Sequence, residues 1–136
     1  MKRLLAICLI IMFALSLSAC TDGISKDEAK AHISGFLEKV STDDYKAAEE
    51  FLHPERPADL QAFFDGIESE NEIDFSNISI EKYTGFKSSL YDSTVNGSAY
   101  SLTMDVSSSG KSFQMEIEIV ENDNGYGIYN LDIDFD

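Results

Sequence analysis

Residues 100–119, YSLTMDVSSSGKSFQMEIEI, contain two runs in which apolar and polar side chains alternate. Alternation with a period of two is typical of a strand with one buried face. The segment between the runs, residues 107–111, predicts a turn, so we expect the runs to pair as an antiparallel hairpin. The apolar positions are Tyr100, Leu102, Met104 and Val106 in the first run and Phe113, Met115, Ile117 and Ile119 in the second.

The residues after this hairpin continue the strand pattern. Residues 122–125, NDNG, predict a second tight turn. Tyr126 and Ile128 are out of phase with the strand that follows, and Gly127 between them predicts a β-bulge. The apolar positions of this last strand are Tyr129, Leu131, Ile133 and Phe135.

The strand pattern is less regular before residue 100. Ile78 and Ile80 alternate with polar residues and predict a first strand, and residues 88–95 are a weaker candidate for another. Asn96 and Gly97 predict a type I′ hairpin turn after that segment. The whole pattern therefore predicts an antiparallel sheet of four or five strands.

Three helices are expected to precede the sheet. Residues 25–28, SKDE, predict a capping box in which the side chains of Ser25 and Glu28 bond each other's backbone amides. Apolar residues then recur at spacings of three and four, which is typical of a helix with one buried face. That stripe consists of Ala29, Ile33, Phe36, Leu37 and Val40.

Two shorter helices are expected next. The first should end at His53-Pro54, and the second should carry Pro57 in its first turn. Glu68, Glu70 and Glu72 are expected in an acidic loop after it. The apolar positions are Tyr45, Ala48, Phe51 and Leu52 in the first of these helices and Leu60, Phe63, Phe64 and Ile67 in the second.

This element order predicts an α+β domain over residues 25–136, with helices at about residues 25–67 and strands at about 74–135. Two or three N-terminal helices would pack on a curved, cone-like sheet of four to five strands. Residues 36–37, 44–48 and 51–52, followed by a meander that ends in NGYGIY (124–129), resemble small bacterial lipoproteins of the nuclear-transport-factor-like superfamily.

The resemblance covers most of residues 25–136 and implies the cone-like fold. A smaller cystatin-like domain, with one long helix across a meander, is the alternative, and the second and third helices argue against it. Superfamily members related to ketosteroid isomerase use a Tyr–Asp acid pair inside the cone. The tyrosines that could point inward here are Tyr45, Tyr83, Tyr91 and Tyr100.

The N-terminal segment has the features of an export signal. Lys2 and Arg3 precede an apolar run over residues 4–15, which is too short to cross a bilayer core of about 30 Å. The run ends in four residues that resemble the lipobox of bacterial lipoproteins, Leu17, Ser18, Ala19 and Cys20. The alternative is an ordinary secretory signal that is cut after Ala19.

The lipobox resemblance implies a signal peptide over residues 1–19 and a lipidated N-terminus with a short tether over residues 20–24. Diacylglycerol would be attached to the Cys20 sulfur, and two or three acyl chains bind a membrane stably. We therefore expect an extracytoplasmic domain anchored to the cell membrane through Cys20, or to the outer membrane in a bacterium with two membranes.

The composition of the chain and the motifs it lacks exclude several classes of function. The chain has 136 residues with 10 Lys and Arg against 25 Asp and Glu, and a net charge of -15 would repel nucleic acid. It contains no phosphate-binding loop, metal-ligand spacing or nucleophile elbow, so we predict no catalytic residues, metal or cofactor. We expect His32 at the rim or surface and His53 at a helix end, where the helix dipole favours positive charge.

The distribution of acidic residues along the strands indicates which partners the domain could bind. Asp132, Asp134 and Asp136 should share one strand face with Glu116 and Glu118 on a neighbouring strand. A solvated acidic face is favoured over a divalent-cation site, and it would repel a second copy across a symmetric interface. We expect a non-enzymatic module that binds a small apolar ligand or a peptide. The alternatives are an accessory subunit with a basic protein partner and a ketosteroid-isomerase-like enzyme.

Overall fold

The computed structural model describes residues 25–91 and 97–135, in which N-terminal helices pack on an antiparallel sheet. The predicted α+β class is therefore confirmed. The signal peptide, the lipobox (Leu17, Ser18, Ala19 and Cys20), Asn96 of the predicted hairpin turn and Asp136 lie outside the described residues.

The first helix, α1, spans Lys26–Ser41 and begins at the predicted capping box. The Ser25 hydroxyl accepts the Glu28 N–H at 3.1 Å, and the Glu28 carboxylate accepts the Ser25 N–H at 3.0 Å. All five residues of the predicted apolar stripe are buried. The stripe therefore faces the core.

The second helix, α2, covers only Tyr45–Glu49, so the prediction that it extends to His53 was wrong. Phe51 and Leu52 lie beyond its end, where the Phe51 carbonyl accepts the Ile128 N–H and Leu52 forms a bridge with Ile128. Apolar residues at positions 51 and 52 face the core in this arrangement as they would in a helix, so their spacing does not distinguish the two.

The third helix, α3, spans Leu60–Asn71, and Pro57 lies before it. The predicted start was wrong because the carboxylate of Asp59 accepts the Ala62 N–H and caps the helix. Glu68 and Glu70 lie inside α3 and not in a loop, since glutamate is a good helix former. The helix ends where Glu72 takes a left-handed conformation.

Four antiparallel strands form one sheet in the order β1-β2-β3-β4. Ile80 of the first predicted strand and residues 88–91 of the weaker candidate belong to a single β1, in which Glu81 and Thr84 are unpaired bulges that change the alternation. Residues 92–95 of that candidate lie outside the described residues. The strands are β1 (Ser79–Tyr91), β2 (Gly97–Ser108), β3 (Lys111–Asn122) and β4 (Gly125–Asp134), and a 3-10 turn at Phe75–Asn77 precedes them.

Three local predictions in the sheet are confirmed, namely the turn at residues 107–111, the bulge near Gly127 and the alternation of β2 and β3. Ser109 and Gly110 connect β2 to β3 with φ of 52° and 77°, as a type I′ turn requires. The bulge expected near Gly127 occurs at Tyr129, because the partners of Ile119 and Glu118 are two residues apart on β4. The alternation of β2 and β3 is also confirmed, with Leu102, Met104, Val106, Phe113, Met115, Ile117 and Ile119 buried.

The connection between α2 and α3 lies along β4, and we call residues 51–56 the docked linker. Leu52 forms a parallel bridge with Ile128. The Ile128 N–H donates to the Phe51 carbonyl and the His53 N–H donates to the Ile128 carbonyl, each at 2.8 Å. A Cβ at Gly127 would lie 2.5 Å from both the His53 nitrogen and the Leu52 carbonyl carbon. Glycine at position 127 therefore permits the two backbones to approach this closely.

We predict that Gly127→Ala lowers the free energy of unfolding by at least about 2 kcal/mol, since the added methyl group would push the docked linker off β4. Urea unfolding followed by circular dichroism measures this change. Gly66→Ala is the matched control, because a Cβ at Gly66 in α3 meets no atom within 4 Å. That variant should instead gain up to about 1 kcal/mol, and equal effects of the two substitutions would contradict the account.

Candidate functional site

His53 is fully buried and links the docked linker to the turn between β3 and β4. Its Nδ1 accepts the Glu55 N–H at 3.0 Å, which leaves Nε2 as the ring nitrogen that donates. Nε2 lies 3.1 Å from Asn122 Oδ1 and 3.2 Å from the Gly125 carbonyl. The predicted helix-end position was wrong, because α2 stops at Glu49 and the ring reaches the sheet.

His32 fastens the same linker from the side of α1. Its Nε2 donates to the Phe51 carbonyl at 2.9 Å. The ring lies between those of Phe51 and Tyr126, with centroid distances of 5.0 and 4.9 Å. We predicted a rim or surface position, and the side chain is half-buried between the helix and the linker.

The charged end of the docked linker is held by β4 and by the turn before it. The Glu55 carboxylate accepts hydrogen bonds from the side-chain amides of Asn122 and Asn124 at 2.9 and 2.6 Å. These bonds hold the pKa of the Glu55 carboxyl below its ordinary value. Arg56 donates from Nε to the Tyr129 carbonyl at 3.2 Å and from Nη2 to Asn130 Oδ1 at 2.8 Å. The docked linker therefore has a fixed position on the sheet.

A groove of about 310 Å³ opens where the docked linker, α3 and β4 meet, and we call it the α3–β4 groove. Phe63 projects into it from α3 with 39% of its surface exposed, although the sequence placed this residue on the buried side of the helix. The guanidinium of Arg56 lies 4.8 Å from the Tyr129 ring at the rim. The apolar lining comes from Leu52, Leu60, Phe63 and Leu131.

This groove was not predicted from the sequence. Its walls come from three elements that are up to about 80 residues apart in the chain. The predicted start of α3, which determines where Phe63 lies, was also wrong. Concave, mostly apolar clefts with a few polar groups are the usual form of ligand sites, and about 300 Å³ is the lower end of their size range. The one feature of the local sequence that could have indicated the groove is Phe63, at the edge of the apolar stripe of α3.

A second depression, of about 610 Å³, lies beside Tyr45, and its lining includes the four acidic residues Asp43, Asp44, Glu49 and Asp59. The Tyr45 hydroxyl donates to Asp43 Oδ1 at 3.4 Å. Burial, with the nearby charges of Glu68, Asp43 and Asp65, raises the pKa of Tyr45 to about 12. Its hydroxyl is therefore protonated at neutral pH.

The other tyrosines proposed for an acid pair lie elsewhere. The Lys30 ammonium sits 4.5 Å from the centroid of the Tyr83 ring, and Tyr100 stacks on Phe86 at 6.0 Å. The side chain of Tyr91 lies outside the described residues. The three described tyrosines, Tyr45, Tyr83 and Tyr100, therefore have different contacts.

The predicted acidic face is confirmed for its described members. Glu116 lies directly opposite Asp132 on neighbouring strands, and Glu118 Oε1 accepts the Asn130 side-chain amide at 2.7 Å. Asp134 lies opposite Gln114 on the same face. Within residues 25–91 and 97–135, no group of three or more histidine, cysteine or carboxylate side chains is arranged to hold a metal ion.

No family model matches the chain, and it matches neither a curated protein nor a solved structure. No helix in the described ranges is both long enough and apolar enough to span a membrane.

We predict that Glu55→Gln destabilises the protein at neutral pH and has little effect in acid. The folded-state pKa of Glu55 is lowered, so its contribution is present above the ordinary value of 4.5 and is lost as the pH falls through the folded value. Melting temperatures of the wild type and the variant from about pH 7 down to about pH 2 should converge at the acidic end.

Glu50→Gln is the control for this titration, because it removes the same charge from an exposed side chain that accepts no hydrogen bond in the described part of the chain. Its melting temperature should follow the wild type across the whole range. A gap between wild type and Glu55→Gln that stays constant with pH would contradict the role given to the Glu55 carboxylate.

Proposed function

We propose that this chain is a lipid-anchored, extracytoplasmic binding module that holds a small apolar ligand or a peptide in the α3–β4 groove without acting on it chemically. The observation that carries the proposal is the open apolar groove, with Phe63 exposed at its wall and Arg56 fixed at its rim. A large aromatic side chain kept partly in water at a concave surface is typical of a binding site.

The lipid anchor is the second part of the proposal. It rests on the lipobox resemblance of Leu17, Ser18, Ala19 and Cys20 and on the positively charged, apolar segment before it. The short stretch between Cys20 and Ser25 would hold the domain close to the membrane surface. In this arrangement the groove would meet ligands in the cell envelope.

We also propose that the helices and sheet form the cone-like arrangement of the nuclear-transport-factor-like superfamily. The element order supports this, since three helices precede an antiparallel meander in the described residues. The cystatin-like alternative has one long helix across the sheet, whereas α3 here has 12 residues and contributes the buried Phe64.

The alternative function is an accessory subunit of an envelope complex. The acidic outer face favours a basic partner over a second copy, because a face-to-face dimer would bring the Glu116 and Asp132 pairs of two copies together. A ketosteroid-isomerase-like reaction is the weakest candidate, since Tyr45 and Asp43 meet beside an open acidic depression and not in an enclosed apolar one.

We predict that radiolabelled palmitate labels the wild-type protein in its bacterial host and does not label Cys20→Ala. The sulfur of Cys20 is the expected site of diacylglycerol attachment, and serine or alanine cannot form the thioether. Immunoprecipitation followed by autoradiography measures the label. Equal labelling of both proteins, or of neither, would contradict the anchor and favour an ordinary secretory signal.

We predict that the mature protein, purified gently from its host's envelope, carries an adduct of constant mass in native mass spectrometry. Phe63→Ala should reduce the occupancy of that adduct about tenfold, because it removes a large apolar contact from the groove wall. Phe86→Ala is the matched control, since Phe86 has the same 39% exposure but lies on β1. Bare wild-type protein, or equal loss in both variants, would count against the groove as the binding site.

A further inference from the structure

The outer edge of β4 is covered over only part of its length. The docked linker pairs with it at Ile128, and the Arg56 side chain binds the carbonyl of Tyr129. From residue 131 to residue 134, no described strand pairs with this edge. An uncovered strand edge presents backbone N–H and C=O groups on which another strand can be added.

The side chains of this open edge alternate in chemistry. Leu131 and Ile133 are partly buried and pack against the core, on the side where Leu131 also lines the α3–β4 groove. Asp132 and Asp134 are exposed on the opposite face of the sheet. A strand added here would therefore meet apolar side chains on one face and carboxylates on the other.

We propose, on the basis of the function proposed above, that the groove's occupant is an extended segment of a basic partner that adds as a fifth strand to residues 131–134 of β4. Its apolar side chains enter the groove beside Phe63. Its alternate residues, lysine or arginine, lie opposite Asp132 and Asp134. Four residues of edge span about 13 Å, so a segment of about four to six residues fits.

The negative charges on the β4 edge favour a basic partner over a second copy of the chain. Pairing of two β4 edges would place Asp132 and Asp134 of each copy near the same carboxylates of the other, and like charges opposite each other destabilise a sheet. Exposed charges on an edge strand are a usual protection against such self-association. The same two carboxylates attract a basic strand, so the edge excludes its own copy and admits a complementary partner.

The test uses the full chain and an acetylated, amidated hexapeptide of alternating valine and lysine. Nuclear magnetic resonance titration should shift the amide signals of residues 131–134. A peptide with three valines followed by three lysines should bind at least about tenfold more weakly, because only the alternating order matches both faces. Two further peptides carry N-methyl groups at every second residue, one at the odd positions and one at the even positions. One of them should bind about tenfold more weakly and the other should bind unchanged, since only alternate amides of an added strand point toward β4.

A matched pair of double variants tests the charges. Asp132→Asn with Asp134→Asn should weaken binding of the alternating peptide about fivefold. Glu38→Gln with Glu50→Gln removes two charges from exposed positions, one on α1 and one just after α2, and should leave binding unchanged. Strand addition would be contradicted if both pairs of variants weakened peptide binding equally. It would also be contradicted if the affinity of the peptide did not depend on its residue order or its N-methylation.

The result also separates this inference from the function on which it rests. If the alternating peptide does not bind but a Phe63-dependent adduct is present on the native protein, the groove is a ligand site and the strand-addition proposal is wrong. If neither the peptide nor the adduct is found, both proposals are wrong. Binding of the peptide in the expected register, with loss in Phe63→Ala, would support both.

Discussion

The backbone pairing of Phe51 and His53 with Ile128 is the constraint on which the rest of the structure depends. It attaches the connection between α2 and α3 to the edge strand of the sheet through two hydrogen bonds of 2.8 Å. The close approach requires glycine at position 127. Because α3 begins only a few residues later, this attachment determines where Phe63 lies relative to β4 and therefore forms the groove.

Polar side chains stabilise this junction, which lies at the edge of the apolar core. The buried ring of His53 uses both nitrogens, and His32 adds a second donor to the Phe51 carbonyl. Among the described residues, no buried side-chain nitrogen or oxygen lacks a hydrogen-bond partner. An unsatisfied buried polar group costs about 1 to 3 kcal/mol, so complete pairing is what makes a polar junction compatible with a stable fold.

The features that the sequence predicted well depend on neighbours in the chain. The capping box of Ser25 and Glu28, the alternation of β2 and β3 and the bulge near Gly127 all follow from local spacing. The docked linker does not follow from local spacing, because the hydrogen-bond partners of His53 lie about 70 residues away in the chain. The apolar residues just before His53 also fit a helix equally well. The groove was missed for the same reason, since its walls depend on that long-range contact.

Hydrogen exchange at the amides of His53 and Ile128 is the most direct test of this account. Both should exchange as slowly as the amides in the centre of β3, because the junction is expected to open only when the whole domain unfolds. The Glu28 amide, bonded to the exposed Ser25 hydroxyl at the start of α1, provides the fast reference. Exchange of His53 and Ile128 as fast as Glu28, with β3 still protected, would show that the linker detaches independently and would contradict its central role.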